Sequence, residues 1–128
     1  MNGRTRTLSA ILAGPKRLAL MLGALMVCGL GFGQPTDLII SEYVEGSFGT
    51  NKYLELYNGT AADINLGNYQ LRLYANGSIT PTIATLSGTL VAGTTIVYGN
   101  SAGTIYSGAF TNLNSICQYN GDDAIALY

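Results

Sequence analysis

Carboxylates carry most of the chemistry open to this sequence, because it contains no histidine. Without imidazole, a serine or cysteine nucleophile lacks its usual base, and the common zinc sites lack a customary ligand. The acids are Asp37, Glu42, Glu45, Glu55, Asp63, Asp122 and Asp123. A pair of carboxylates could in principle hydrolyse a glycosidic bond. A sandwich of about 95 residues with few aromatic clusters and no evident cleft argues against that role for Glu42, Glu45 or Glu55. Asp122 and Asp123, with loop carbonyls, are hard oxygen ligands of the kind calcium takes, so a weak calcium site there is one reading. The run Asn120-Gly121-Asp122-Asp123 does not have the spacing of a calcium loop, and a turn capped by aspartate explains it equally well. Glu55 alternates with Tyr53 and Tyr57, while Leu54 and Leu56 take the other strand face. With the leucines inward, Glu55 faces solvent between two tyrosines; inward tyrosines would instead bury a carboxylate that must find donors. The leucine-inward arrangement is the expectation. No residue is assigned a catalytic, cofactor-binding or metal-binding role, and no cofactor is expected.

The two cysteines add little reactivity. Cys117 has no base or cation in its local sequence, so nothing marks its thiol as activated. It is buried and inert, paired with another chain, or paired with a residue this sequence lacks; the first is expected. Cys28 sits in an apolar run, where Leu25-Met26-Val27-Cys28 faintly suggests a lipidation box. Branched Val27 replaces the small residue such boxes place before cysteine, so Cys28 reads as a small hydrophobe. No glycine-rich loop followed by lysine and a helix is present to cradle phosphate.

The elements that would position these residues are strands. After Pro35 the chain shows short stretches of Ile, Val, Leu, Tyr and Thr, broken by Gly and Asn, which is the pattern of a sandwich or barrel. Strands are expected over Leu38–Val44, Lys52–Asn58, Tyr69–Tyr74, Thr82–Leu86, Thr94–Tyr98 and Asp123–Tyr128. Tyr69, Leu71 and Leu73 alternate with Gln70, Arg72 and Tyr74, an inside/outside pattern. Asn58-Gly59, Asn76-Gly77 and Asn120-Gly121 offer residues that tolerate the positive φ of tight reversals. Two of them also spell glycosylation sequons, Asn58-Gly59-Thr60 and Asn76-Gly77-Ser78, but the turn reading suffices. With no repeat and no linker, residues 34–128 read as one all-β domain of immunoglobulin size.

The opening third reads as an address. Arg4, Arg6, Lys16 and Arg17 precede the apolar run Leu18–Leu30, and Gly31-Phe32-Gly33 supplies a small-x-small site. These are the parts of a cleavable signal peptide over residues 1–33. The run is shorter than the roughly 20 residues a membrane span needs. Its removal leaves Lys52 and Arg72 against seven acids, a formal −5. That sign does not suit phosphate backbones, so no nucleic acid is expected on the domain's own surface. The expected location is secreted or at the cell surface, with no membrane span after cleavage.

Five ordered blocks carry a family likeness: Leu38-Ile-Ile-Ser-Glu-Tyr-Val-Glu-Gly46, Asn51-Lys-Tyr-Leu-Glu-Leu-Tyr-Asn58, Leu66-Gly-Asn-Tyr-Gln-Leu71, Gly88-Thr-Leu-Val-Ala-Gly93 and Asn120-Gly-Asp-Asp-Ala-Ile-Ala-Leu127. Together they resemble a bacterial lamin-tail domain across nearly all of residues 34–128. The resemblance implies an immunoglobulin-like β-sandwich and a non-catalytic module for extracellular or cell-surface attachment, its partner an unidentified protein or surface polymer. The alternative it implies is an N-terminal accessory domain of a secreted nuclease or phosphatase whose catalytic part is absent here. Family members usually continue beyond the last block, so either the sandwich is completed differently here or, as expected, the sequence is truncated at its C-terminal end.

Overall fold

Alternation along the strands sets two layers. The structure is a computed structural model that describes Gly33 and residues 35–128. The expected leader, with Cys28 in it, lies outside the described residues except for Gly33. Residues 34–128 form one compact unit. Its strands are, in chain order, β1 (Leu38–Glu45), β2 (Lys52–Asn58), β3 (Ile64–Asn65), β4 (Gln70–Tyr74), β5 (Thr82–Thr85), β6 (Thr89–Leu90), β7 (Thr95–Gly99), β8 (Thr111–Asn112) and β9 (Ala124–Leu127). One sheet has the order β1-β2-β7-β8, a second β5-β4-β9, and β3 pairs with β6 alone. All pairings are antiparallel except β7 with β8.

The core lies between the sheets. Leu38, Leu54, Leu56 and Tyr98 come from the first sheet, and Leu71 and Leu73 from the second. Leu90 joins them from β6, Leu66 and Leu86 from the segments between strands, and Ile116, Cys117 and Tyr119 from the segment ahead of β9. Each fully buried leucine contributes about 1.5–3 kcal/mol relative to exposure. The described residues are thus all-β, an immunoglobulin-like β-sandwich, and the six expected strands appear with ends shifted by at most one residue. The two-residue strands β3, β6 and β8 lack the length to show a period. Among the described residues, no helix is long and apolar enough to cross a membrane.

The turn chemistry needs one correction. Of the three Asn-Gly pairs, Asn76-Gly77 alone takes positive φ, at 52° and 70°. Asn120-Gly121 still turns, through an amide of Asp123 donating to the Asn120 carbonyl at 2.8 Å, but with ordinary φ. Asn58 is not a turn tip at all. It is wholly buried at the end of β2, with both amide protons and its carbonyl oxygen engaged. Glycosylation of folded protein at Asn58 is therefore sterically closed, whereas Asn76 is exposed.

Candidate binding site

A parallel neighbour cannot be reached by a tight hairpin, so the chain between β7 and β8 must run back along the sheet. Residues 100–110 make that return, and they cover part of the outer face of β1-β2-β7. Tyr53, on that outer face, is buried to 3% exposure beneath them. Its ring lies 5.4 Å from Phe110 in an edge contact and 5.5 Å from Tyr106. A Cβ on Gly103 would collide with the Tyr53 hydroxyl, so glycine lets the return segment pass this closely. Buried Asn51 pins the same segment, its side-chain oxygen accepting from the Thr104 amide at 2.7 Å. Asn114 holds the start of the segment by accepting from the Ser101 amide at 2.8 Å.

Among the described residues, the Tyr53 hydroxyl is the one buried side-chain polar atom with no hydrogen-bond partner. An orphaned buried hydroxyl costs roughly 1–3 kcal/mol. Tyr53→Phe keeps the ring contacts and removes the orphan, so it is expected to raise stability by about 1 kcal/mol. Urea unfolding checks this: the midpoint should rise at constant slope, and a lower midpoint would show that the hydroxyl has a partner after all.

Where the return segment lifts away from the sheet, an open hollow of about 160 Å³ remains. Its floor is Val44, Tyr53 and Val97, and its overhang is Ile105 and Tyr106. Glu42 and Glu55 complete the lining and stand directly opposite each other on β1 and β2. A β-bulge between Ile40 and Glu42 creates this arrangement. The extra residue, Ser41, donates its hydroxyl to the Glu55 carboxylate at 2.8 Å. Bulges often re-aim a side chain beside functional surfaces. The register thus brings two carboxylates to one side of the sheet, Glu42 exposed and Glu55 half-buried. Leu54 and Leu56 point inward as expected, but Glu55 is half-buried rather than solvent-facing, since the return segment shelters its side of the sheet.

The other acids are occupied elsewhere. Both oxygens of Asp123 accept backbone amides, from Asn76 at 2.8 Å and Asn120 at 3.0 Å, which is the aspartate-capped turn. Asp122 is exposed beside it. Among the described residues, no three His, Cys, Asp or Glu side chains gather to hold a metal ion. Glu45 pairs with Lys52 at 3.0 Å, where the lysine is almost fully buried. Arg72 stacks on the Tyr128 ring at 3.7 Å, on the second sheet. Both basic residues of the described region are thus engaged away from Glu42 and Glu55.

Cys117 is fully buried and free, and burial pushes its thiol up from 9.0 to about 12. The folded protein is expected to resist thiol reagents at pH 8 and react upon unfolding. The raised value also has a stability consequence. Above pH 9 the unfolded chain releases this proton while the folded one retains it, so stability falls between about pH 9 and 12. Tyr119, raised by burial as well, adds to the same alkaline loss. Urea titrations from pH 8 to 11 should show a shallower decline in Cys117→Ala than in the parent; equal slopes would contradict the burial effect.

Sequence reasoning singled out Glu42, Glu45 and Glu55 but not their setting. Ser41, Ile105 and Tyr106 are missed because they fall in a bulge and an aperiodic segment. The signal present was an Ile-Tyr pair inside a run of Gly, Ser, Thr and Ala at residues 101–109.

The sheets and the leucine-rich core between them define an immunoglobulin-like β-sandwich with a surface hollow on one outer face. The lamin tail domain family matches residues 33–128, and the chain belongs to that family. Lamin tail domains are non-catalytic immunoglobulin-like folds, which agrees with the five blocks quoted above. No curated protein matches the chain.

Proposed function

We propose that this chain is an exported attachment module, directed by residues 1–33 to the cell surface or beyond, and that its role is adhesion rather than catalysis. The observation that carries the binding part is the hollow on the outer face of β1-β2-β7, which sets two carboxylates beside exposed apolar side chains. Support for export is the basic-apolar-small pattern of the first 33 residues. The net −5 of residues 34–128 argues for a neutral or basic partner and against nucleic acid. The partner is a surface protein or polymer outside the cytoplasm.

Expression of the full chain in a secreting bacterial host tests the reading. Intact mass of the product should correspond to a start at Gln34, and part of the protein should remain on washed cells. Protein that retains Met1 and stays in the cytoplasm would overturn export; processed protein that never associates with cells or envelope fractions would overturn attachment.

A further inference from the structure

The size of the hollow restricts what can enter it. An apolar cavity of roughly 150 Å³ admits a benzene-sized molecule, whereas sites for drug-sized ligands and cofactors run to about 300–1,000 Å³. At about 160 Å³ the hollow accommodates one side chain. Its walls require that side chain to be apolar along its length, since Val44, Val97, Ile105 and the faces of Tyr53 and Tyr106 form most of the surface. The remaining lining is Glu42 and Glu55, placed opposite each other by register. A cation set beside them would gain charge-assisted bonds. Tyr53 and Tyr106 add aromatic faces that attract cations.

Charge complementarity therefore selects the occupant. Lysine and arginine are the side chains that join an apolar stem to a terminal cation, and they bury the stem while leaving the head at a polar rim. Neither basic residue of the described region supplies that cation, because Lys52 is paired with Glu45 and Arg72 lies against Tyr128. We infer that the hollow lined by Glu42, Val44, Glu55, Val97, Ile105 and Tyr106 is a receptor for a basic side chain on an exposed segment of a protein partner. This inference rests on the attachment reading and names the partner's chemistry. The bulge then has a purpose: it places Glu42 beside Glu55, with Ser41 fixing the second carboxylate.

The test compares two capped tripeptides, Gly-Lys-Gly and Gly-norleucine-Gly, titrated into the full chain as purified from the secreting host. Methyl signals of Val44, Val97 and Ile105 are followed by NMR. The lysine peptide should shift all three saturably, and norleucine, with the same stem and no charge, should bind about tenfold more weakly or less. Glu42→Gln with Glu55→Gln should weaken the lysine peptide by a similar factor. Equal response to the two peptides, or shifts centred away from these methyls, would overturn the inference, and this comparison needs no variant to fold. Cell association that persists in the double Gln variant would overturn the lysine assignment while leaving attachment standing; loss of cell association in the parent would remove attachment itself.

Discussion

Asn58→Asp is expected to destabilise the domain by roughly 2–6 kcal/mol, out of a total of about 5–14 kcal/mol for a domain of this length. The two side chains have nearly the same shape, so the effect isolates hydrogen bonding. Asn58 donates through Nδ2 to the carbonyls of Ala62 and Leu90, both at 2.9 Å. Its Oδ1 accepts from the Thr60 amide at 3.0 Å and the Thr60 hydroxyl at 2.7 Å. Its backbone closes onto Thr94 and Gly93. The side chain thereby joins the end of β2 to the following turn and to β6, and the backbone adds the segment between β6 and β7. Aspartate can still accept from Thr60. It offers no proton to Ala62 or Leu90, so two carbonyls lose a donor and instead face a buried negative charge. An unmet buried group costs about 1–3 kcal/mol, more when charge is involved. Urea unfolding of the variant decides the matter. A loss under about 1 kcal/mol would show that water or a local shift restores the missing donors.

Asn58 also shows where sequence reading stops. In one dimension, Asn58-Gly59-Thr60 reads as a turn and as a sequon; its true role depends on Leu90, thirty-two residues away. Alternation does better, because it is a property of neighbours. Leu54 with Leu56 and Leu71 with Leu73 declare their faces in the sequence, and both pairs are buried at the interface of the sheets. What alternation cannot say is whether the opposite face is also covered. Residues 100–110 cover it, yet their sequence has no period, and their path follows from the parallel pairing of β7 with β8. Glu55 was thus legible as an outward residue but not as a half-buried one. The hollow draws on β1, β2, β7 and the return segment, so no single stretch of sequence contains it. Cys117 was legible as buried from what surrounds it: no base, no cation and no second cysteine within residues 34–128.

Tyr119 is the second residue whose loss should be severe, and two substitutions separate its contributions. The side chain is wholly buried, and its hydroxyl lies 2.7 Å from the Tyr53 carbonyl and 2.9 Å from that of Val44. Val44 and Tyr53 are register partners on β1 and β2, so the hydroxyl fastens the segment ahead of β9 to the edge pair of the first sheet. The ring stacks on Tyr43 with centroids 4.4 Å apart, and the buried Lys52 ammonium stands 5.9 Å from its centre. Tyr119→Phe keeps both ring contacts and removes the donor, at an expected cost of about 1–3 kcal/mol. Tyr119→Ala also leaves a cavity, strips the aromatic face from Lys52 and should cost about 3–5 kcal/mol, as large aromatic truncations in cores do. The gap between the two measures the ring, and the first loss measures the hydroxyl. If Tyr119→Phe were neutral while Tyr119→Ala remained costly, packing alone would hold this corner and the two carbonyl contacts would be incidental. Because the same β1-β2 edge carries Glu42 and Glu55, Tyr119→Phe should also broaden the Val44 methyl signal before it affects Val97, which sits on β7 at the far side of the hollow.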